Sequence, residues 1–319
     1  MKNCLTFLVT AIGSFSADCV INTLKSNGHI VIGCDIYPSI WHAVSQDCDK
    51  VYQAPFATKE KEYIDFLLEV SENESVDYII PLTDLEIDVI NRNRLVFNDS
   101  HVSVLLQSEN CLMIARNKLA MYELFKESKT VNLPYSVSSE KLEMSFPLPA
   151  IAKPVDGRSS EGLMRITNLE QLTNVSKLSN YIVQEMLPGS VFTVDYVRDK
   201  QGNDFLVPRE ELLRTKNGAG TTVRIVNDDK LRAIVSHIGH KLDIVGCVNM
   251  EFILNEDKYY LIDINPRFSA GVAFSNFVGF DMVTSHINAF LDKTINPKVE
   301  FKEQIITKRY KEELLWKSL

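Results

Sequence analysis

The stretch VNMEFILNEDKYYLIDINPRFSA, residues 248–270, indicates the fold and the chemistry of this chain more strongly than any other segment. Its apolar and aromatic arms flank a polar centre, which predicts two antiparallel β-strands joined by a tight turn. A three-residue turn at 256–258 would place Glu251 directly opposite Asp263. Side chains alternate faces along a strand, so Asn265 is expected on the same face as Asp263.

Two carboxylates that face each other across a strand pair repel each other. The arrangement becomes favourable if a divalent cation lies between Glu251 and Asp263, and carboxylate and amide oxygens suit Mg²⁺. The alternative is an ordinary acidic hairpin, because a change of one residue in the turn would move Glu251 away from Asp263. The hairpin alone leaves both interpretations open.

The composition bounds the class of protein. The chain has 319 residues, 45% of them hydrophobic, which predicts two or three domains. Its net charge of −8 and the lack of a long basic run disfavour a nucleic-acid partner.

The apolar start at 4–12 is too short for a membrane span and lacks the flanks of a signal peptide. Six scattered cysteines without a CxxC pair indicate reduced thiols of a cytoplasmic protein. His237 and His240 lack a third ligand nearby, which disfavours zinc.

Residues 1–108 alternate strand and helix patterns, which predicts an open, doubly wound parallel α/β sheet. A dinucleotide fold would need GxGxxG after the first strand, but only Gly13 is present there, so a nicotinamide or flavin enzyme is disfavoured. Asp35 is interpreted as an ordinary strand-end residue. Thr83 and Asp84 follow a later parallel strand, where open sheets bind ligands, although Asp84 is equally suited to cap the next helix.

The second part of the chain changes to an α+β pattern in which antiparallel strands dominate. One helix is predicted at 111–128 and another in the charged tail from Pro297. Lys153 precedes the loop 157–162, whose small residues let backbone N–H groups approach phosphate oxygens. Leu163 stands where a Walker loop requires lysine, which disfavours a P-loop enzyme. A plain hairpin with a flexible tip is the alternative to phosphate binding.

The order of these segments resembles the ATP-grasp superfamily, and in particular single-unit proteins similar to the large subunit of carbamoyl-phosphate synthase. The resemblance rests on a helix with RNKLAMYELF, the strand lysine and its loop, the strand QEMLPG, and the hairpin ending in LIDINPR. It implies an ATP-grasp fold after the N-terminal domain, with a small subdomain at 109–182 and a large subdomain at 183–319. The chain is too short for the two such units of a complete carbamoyl-phosphate synthase.

The resemblance also implies a site in which ATP is held between the two subdomains. Glu251, Asp263 and Asn265 would hold one or two Mg²⁺ or Mn²⁺ ions. Arg267 and Lys153 would be catalytic and would face the γ-phosphate. The residues implied in nucleotide binding are Lys118, Lys153, Gly157, Ser159, Ser160, Gly162, Gln184, Glu185, Met186 and Leu187.

The segment 208–224 resembles the substrate side of this subgroup. Arg209, Arg214 and Arg224 would bind a carboxylate or the transferred phosphoryl group, since a guanidinium pairs bidentately with such oxyanions. Arg214 is also expected to act in catalysis, and Asp84 completes the substrate set. Solvated arginines on a charged edge strand are the alternative.

Two positions depart from the family pattern. Val191 stands where a glutamate usually binds the ribose hydroxyls, which leaves ribose binding to other residues or weakens it. Asp263 replaces the usual metal-binding glutamate, which keeps the carboxylate but shortens its reach. The metal end of the implied nucleotide site is therefore better preserved than its ribose end.

The expected function is that of an ATP- and Mg²⁺-dependent ligase, which activates a small carboxylate as an acyl phosphate and joins it to an amine. Two alternatives are carbamoyl-phosphate synthase-like phosphorylation of bicarbonate or carbamate, and a nucleotide-binding regulatory module without ligation. The expected partners are small molecules rather than nucleic acid or membrane, and a homodimer is left open.

Overall fold

The computed structural model describes residues 4–158, 161–216 and 218–309. Within these ranges the strands form three sheets, one parallel and two antiparallel. Residues 159 and 160, in the predicted phosphate loop, lie outside the described residues.

The N-terminal sheet has five strands, which are β1 (Thr6–Val9), β2 (Ile30–Asp35), β3 (Lys50–Gln53), β4 (Tyr78–Ile80) and β5 (Ser103–Val104). Their spatial order is β3-β2-β1-β4-β5 and every neighbouring pair is parallel. The accompanying helices are α1 (Ala17–Ser26), α2 (Glu60–Asn73), α3 (Asp84–Arg92) and α4 (Arg94–Asn98). The predicted open parallel α/β domain is confirmed, and the apolar start of the chain is its buried central strand.

The predicted single helix at 111–128 is wrong, because the chain forms two helices there. They are α5 (Glu109–Ala115) and α6 (Lys118–Phe125). Between them, the Asn117 side chain accepts a hydrogen bond from the backbone N–H of Ala120 and so caps α6. Asparagine is a preferred N-cap because its side chain satisfies a free N–H of the first turn. The break places Lys118 at the first turn of a helix.

A small antiparallel sheet follows, with the strands β6 (Ser136–Ser138), β7 (Ala150–Pro154), β8 (Met164–Ile166) and β9 (Tyr181–Glu185). Its order is β6-β9-β7-β8, and α7 (Leu169–Val175) packs on its core. β7 and β8 are the hairpin arms predicted on either side of the phosphate loop. The expected subdomain boundary after residue 182 falls within β9, and the domain division stays a prediction.

The large sheet has six strands, which are β10 (Ser190–Arg198), β11 (Asp204–Arg214), β12 (Gly220–Ile225), β13 (Gly246–Asn255), β14 (Lys258–Asn265) and β15 (Gln304–Thr307). Its order is β14-β13-β10-β11-β12-β15 and all pairs are antiparallel. Its helices are α8 (Asp229–Lys241), α9 (Val272–Phe277) and α10 (Met282–Phe290). Together with the small sheet it gives the α+β second part that the sequence predicts.

The tail from Pro297 contains a strand rather than the predicted helix among its described residues. β15 adds to the edge of the large sheet by pairing with β12, and Ile306 packs partly against the core. The sequence QIIT is rich in β-branched residues, which fit a pleated, half-buried surface better than a helix. The charge of the tail therefore does not indicate a helix in its described residues.

The parallel domain packs directly on the large sheet. Buried residues of β1 and α1, such as Phe7 and Leu24, belong to the same apolar cluster as Val197, Phe205 and Val223 of the large sheet. A continuous core of this kind fixes the two units relative to each other, since cores are packed as densely as crystals. The segments that follow the carboxyl ends of β1 and β4 line a cleft together with the large sheet.

The six cysteines, all in the described part of the chain, are free thiols, as the scattered pattern predicts. Burial raises the pKa of Cys19, Cys48 and Cys111 to about 12, so these thiols are protonated near neutrality. Over the described ranges, each helix is too short or too polar to cross a lipid bilayer.

Candidate functional site

The hairpin of β13 and β14 has a shorter turn than predicted. Asn255 pairs with Lys258, and only Glu256 and Asp257 lie between them. Both turn residues have positive φ, 47° and 61°, as a two-residue type I′ turn requires. The three-residue turn at 256–258 is therefore wrong.

The predicted register of the acidic residues is nevertheless correct. Glu251 lies opposite Asp263, while its neighbour Phe252 pairs with Leu261. One residue of β14, Ile262, is thus left over as a β-bulge. The bulge compensates for the residue missing from the turn.

The bulge also decides which side chains of β14 face the cleft. Leu261 is fully buried in the core, and ordinary alternation would send Asp263 to the same side. The extra residue reverses the alternation, so that Asp263 and Asn265 share the opposite face with Asn249 and Glu251 of β13. Asn265 donates from Nδ2 to Oδ1 of Asn249 at 3.1 Å. Asn249 was not predicted from the sequence, although it stands two residues before Glu251 on the same strand face.

A cleft of about 460 Å³ lies between this face and the parallel domain. Segments 13–16 and 82–84, which follow β1 and β4, line one side. The large sheet lines the other side, together with segments 218–220 and 269–271. β1 and β4 are neighbours whose connections run in opposite directions, and open α/β sheets bind ligands at such a switch point. The fold thus brings the hairpin carboxylates to the ligand-binding edge of the parallel sheet.

Two lysines reach the hairpin from the small-subdomain side. Lys118 Nζ lies 3.4 Å from Oδ1 of Asp263 and donates to the carbonyl oxygen of Gly157 at 2.9 Å. Lys153 Nζ donates to the carbonyl oxygen of Ile262 at 3.1 Å. The two lysines predicted to bind phosphate are therefore grouped around Asp263.

The charges in this region perturb one another. Burial raises the pKa of Glu251, the carboxylate of Asp263 raises it further, and Arg214 opposes both effects. Burial lowers the pKa of Lys153 to about 8, an effect that the nearby Asp263 partly offsets. The negative charge of Asp263 thus acts on Glu251 as expected for facing carboxylates, and burial in the cleft shifts the pKa of both Glu251 and Lys153.

Arg267, at the end of the hairpin, contacts the parallel domain. Its Nε and Nη2 donate to the two carboxylate oxygens of Asp84 at 3.0 and 2.8 Å. Burial of Asp84 opposes ionisation, but Arg267 and then Arg116 hold the pKa of this carboxyl below its usual value. Asp84 lines the cleft, but its oxygens are occupied by an arginine instead of being free for a substrate.

The alternative role for Asp84, as a helix N-cap, is wrong. Thr83 caps α3, and Glu86 completes a capping box with it. Asp84 is the first residue of the helix, where a negative charge interacts favourably with the helix dipole. Of the two roles predicted for Asp84, the helix cap is therefore wrong, and at the cleft its carboxylate pairs with Arg267.

The three predicted substrate arginines have different environments. Arg209 is 1% exposed and pairs with Asp195 at 2.8 Å and with Glu211 at 3.3 Å. Arg214 lines the cleft, where its Nη2 lies 3.2 Å from Oε2 of Glu251. The interpretation as a solvated edge-strand arginine is therefore wrong for Arg209, whereas Arg214 is partly exposed and lies on β11, an inner strand of the sheet.

Arg224 is not brought to the cleft. It is half exposed and pairs with Glu210. Its neighbours Val223 and Ile225 are buried in the core beneath the parallel domain, so alternation turns Arg224 to the other face of the sheet. The proposed substrate role of Arg224 is not supported by its position.

Most of the remaining residues predicted to bind nucleotide lie on the small sheet or at the ends of its strands. Gln184 is buried, and its amide donates to the hydroxyl of Ser136 at 2.9 Å. The carboxylate of Glu185 accepts from the backbone N–H of Tyr135 at 2.9 Å. Gly162 has a φ of +69°, which favours glycine at the end of the loop. Four further predicted residues remain. Met186 and Leu187 follow the end of β9, and Ser159 and Ser160 lie outside the described residues.

Val191 offers no carboxylate on the strand that follows. It pairs with Ile253 in the β10–β13 ladder. Thr193, two residues further on the same face, lines the cleft. Val191 therefore lies on a strand that reaches the cleft, but it brings no carboxylate to the usual ribose-binding position.

The donor set on the hairpin fits Mg²⁺ bound together with a nucleotide. Among the described residues, no group of three or more His, Cys, Asp or Glu side chains could hold a metal ion by itself. Mg²⁺, however, is usually held by one or two carboxylates plus substrate phosphates. Glu251 and Asp263 supply the carboxylates on adjacent strands, and Asn265 and Asn249 add amide oxygens beside them.

Comparison with protein families agrees with this architecture. Residues 115–271 match the family model of the ATP-grasp domain. Residues 8–105 match the model of the PylC-like N-terminal domain. The two matched regions correspond to the second part of the chain, which carries the hairpin, and to the parallel domain.

Individual relatives are distant. The arginine-specific large chain of carbamoyl phosphate synthase from Halalkalibacterium halodurans is 22% identical over 272 residues, which cover 78% of this chain and 25% of that one. The chain thus spans about a quarter of the length of the curated relatives it matches.

Solved structures share the fold at low identity. The N5-carboxyaminoimidazole synthetase from Staphylococcus aureus complexed with ADP superimposes with a TM-score of 0.76 at 15% identity, over 95% of this chain and 82% of that one. An L-amino acid ligase from Bacillus licheniformis gives a TM-score of 0.72 at 14% identity, over 94% and 78% of the two chains.

Proposed function

Because the chain belongs to the ATP-grasp superfamily, we propose that it is an ATP- and Mg²⁺-dependent ligase that activates a small carboxylate and joins it to an amine. The observation that carries the proposal is the pair Glu251 and Asp263, which face each other at the cleft with Lys118 and Lys153 beside them. A chain that only needed to be folded would have no reason to gather these charges at a ligand-binding edge.

The first step is phosphoryl transfer. An oxygen of the substrate carboxylate attacks the γ-phosphorus of ATP, and ADP leaves as the acyl phosphate forms. Lys153 and Arg267 neutralise negative charge that spreads over the transferring group. Mg²⁺ held by Glu251 and Asp263 would supply further neutralisation of the phosphate oxygens.

The second step is amide formation. The amine nitrogen attacks the carbonyl carbon of the acyl phosphate, phosphate leaves with the bond electrons, and a proton passes to solvent or phosphate. Arg214 lies at the cleft wall opposite the parallel domain and is the arginine proposed to orient the substrate carboxylate. The loop 157–162 would exclude water from the acyl phosphate, which water would otherwise hydrolyse.

Phosphorylation of bicarbonate or carbamate is the second candidate. It is favoured by the matches to large chains of carbamoyl phosphate synthase. In that reaction the same residues would act on a smaller carboxylate. The regulatory-module alternative rests on Val191, which weakens the expected ribose contact without touching the metal end of the site.

The expected setting of the protein follows from the same features. We place it in the cytoplasm because of its scattered free thiols, with small molecules as its partners and without nucleic acid or membrane. A homodimer stays open.

ADP release measured over pooled small carboxylates and amines, with and without Mg²⁺, tests the proposal. A ligase gives Mg²⁺-dependent ADP release that requires a carboxylate and a product whose mass equals carboxylate plus amine minus water. ADP release with bicarbonate alone would favour the second candidate. Nucleotide binding that is independent of Mg²⁺, with no ADP release on any pool, would overturn both and favour a regulatory module.

A further inference from the structure

Arg267 is oriented by a residue of the other domain. Its guanidinium makes two hydrogen bonds to the carboxylate of Asp84, which lies 183 positions earlier in the chain at the start of α3. The same guanidinium donates to the carbonyl oxygen of Phe268 at 3.2 Å and lies within 3.4 Å of Oδ1 of Asn265. Bidentate pairing fixes the plane of a guanidinium as well as its position.

Asp84 is placed to hold this geometry firmly. Its side chain is only 2% exposed, against 19% for Arg267, so water competes little for the carboxylate. Its position in the first turn of α3 is fixed by the capping box of Thr83 and Glu86. The arginine can therefore reach the cleft while its partner stays anchored in the parallel domain.

A second arginine connects Asp84 to the phosphate loop. Arg116 Nη1 lies 3.8 Å from Oδ1 of Asp84, and its Nε and Nη2 each donate to Asp88 at 2.9 Å. Nη2 also donates to the carbonyl oxygen of Asp156, just before the loop, at 3.2 Å. Asp84 thus lies between the arginine of the hairpin and the arginine that holds the start of the loop.

We propose that Asp84 is a positioning residue, which sets the guanidinium of Arg267 toward the γ-phosphate of the bound nucleotide. The proposal rests on the proposed function, because it takes the cleft at the hairpin as the site of the triphosphate. Through this contact the parallel domain determines how strongly the site distinguishes ATP from ADP. Asp84 itself touches neither nucleotide nor substrate.

An ion pair that only holds two domains together would behave differently. Its loss would lower stability and would weaken ATP and ADP binding alike, since both nucleotides share every phosphate but one. Loss of a positioning contact weakens the interaction with that one phosphate. The ratio of the two affinities therefore separates the roles.

The test compares dissociation constants for ATP and ADP, measured by calorimetry with Mg²⁺ on the full chain. For Asp84→Asn we expect ATP affinity to fall about tenfold and ADP affinity to change less than about twofold, in keeping with the loss of one charge-assisted contact. Glu60→Gln is the control, because Glu60 pairs with Arg92 within the parallel domain, away from Arg116 and Arg267, and it should keep the wild-type ratio. An unchanged ratio in Asp84→Asn, or an equal loss for both nucleotides, overturns the proposal.

Two other variants cover the case in which Asp84→Asn is too unstable to bind any ligand. Arg267→Met should itself lower the ATP to ADP preference, and Asp84→Glu, which keeps the charge, should retain most of the wild-type ratio. An unchanged ratio in Arg267→Met would overturn the proposal. Where Asp84→Asn binds nucleotide, adding it to Arg267→Met should leave the ratio unchanged, and a further fall would overturn the proposal. A wild-type protein that discriminates ATP from ADP but releases no ADP in the substrate screen contradicts the ligase function alone.

Discussion

The side-chain nitrogen of Lys153 lies 3.1 Å from the carbonyl oxygen of Ile262, the residue that the β-bulge adds to β14. A bulge interrupts the strand ladder, so a polar group of the extra residue is available to another partner. The same extra residue turns Asp263 toward the cleft. One irregularity in the hairpin therefore orients the carboxylate and holds the lysine beside it.

Lys153→Ala is expected to abolish ADP release with the correct substrate pool. The substitution removes a positive charge that would neutralise the transferred phosphoryl group. The loss should be on the order of a hundredfold or more, as for other preorganised electrostatic contacts. ADP release under saturating ATP measures it. Lys59→Ala, which changes an exposed lysine remote from the cleft, serves as the control, and full turnover by Lys153→Ala would exclude the proposed phosphate site.

Asp263→Asn keeps the shape of the side chain but removes one of the two paired carboxylate charges. We expect ADP release to fall by about a hundredfold and the Mg²⁺ concentration for half-maximal rate to rise. Asp263→Glu restores the carboxylate at the length usual in the family and should retain measurable activity. The idea of a metal site fails if Asp263→Asn shows the wild-type dependence on Mg²⁺.

Arg214 and Arg224 provide a matched pair on neighbouring strands. Arg214→Ala removes a guanidinium that lies in the cleft beside Glu251 and should raise KM for the carboxylate by about tenfold, the value of one charge-assisted contact. Arg224→Ala changes a half-exposed side chain on the opposite face and should leave both kcat and KM within about twofold of wild type. Equal effects of the two substitutions would contradict the assignment of the substrate side.

His286 makes the stability of the fold sensitive to acid. Its Nδ1 accepts from the backbone N–H of Cys247 at 2.8 Å, and burial lowers its pKa to about 3. The unfolded chain binds a proton near pH 6.5 and the folded chain does not, so this residue favours unfolding progressively as the pH falls from about 6.5 to 3. Within that window His286 lowers the free energy of unfolding by up to about 1.4 kcal/mol for each pH unit of fall. Above the window it has no such effect.

Urea unfolding between pH 7 and 4.5 measures this effect. The free energy of unfolding should fall more steeply in the wild type than in His286→Gln, which cannot be protonated. His101→Gln removes an exposed histidine and is the control, with the wild-type slope expected. Parallel slopes for wild type and His286→Gln would show that another group governs acid sensitivity.

Gly189 joins the small sheet to the large sheet and cannot accept a side chain. Its φ is +151°, and a Cβ there would lie 2.1 Å from the carbonyl oxygen of Leu254. Gly189→Ala should lower the free energy of unfolding by about 1–3 kcal/mol, the usual cost of overpacking, because the obstacle is backbone. Gly28→Ala meets no atom within 4 Å and isolates the cost of positive φ alone, so thermal unfolding should rank it as the milder change.

The sequence correctly predicted that Glu251 lies opposite Asp263, although the turn assumed for that prediction was wrong. A three-residue turn and a two-residue turn followed by a one-residue bulge give the same register beyond the bulge. Alternation and charge repulsion indicate where the acidic residues should meet, but they carry no information on which irregularity achieves it. The apolar strands of the parallel sheet needed no such correction, because burial on both faces leaves a continuous apolar pattern.

The contact between Asp84 and Arg267 lay beyond sequence reasoning for a different reason. The pattern around Thr83 and Asp84 correctly indicates a strand end followed by a helix, at the edge where ligands bind. Which carboxylate faces which arginine depends on the packing of the parallel domain on the large sheet. Local periodicity does not describe such packing. Alternation separates Arg224 from Val223 and Ile225, but only the packing shows that the face of those two residues is the one turned toward the parallel domain.

Trapping with hydroxylamine tests the central claim most directly, because this nucleophile converts an acyl phosphate to a hydroxamate whatever the natural amine is. The wild-type protein, incubated with ATP, Mg²⁺ and the carboxylate pool, should form a hydroxamate in step with ADP. Neither product should form without Mg²⁺, and both should fall by about a hundredfold in Asp263→Asn. ATP binding without hydroxamate or ADP from any carboxylate, bicarbonate included, would contradict the account.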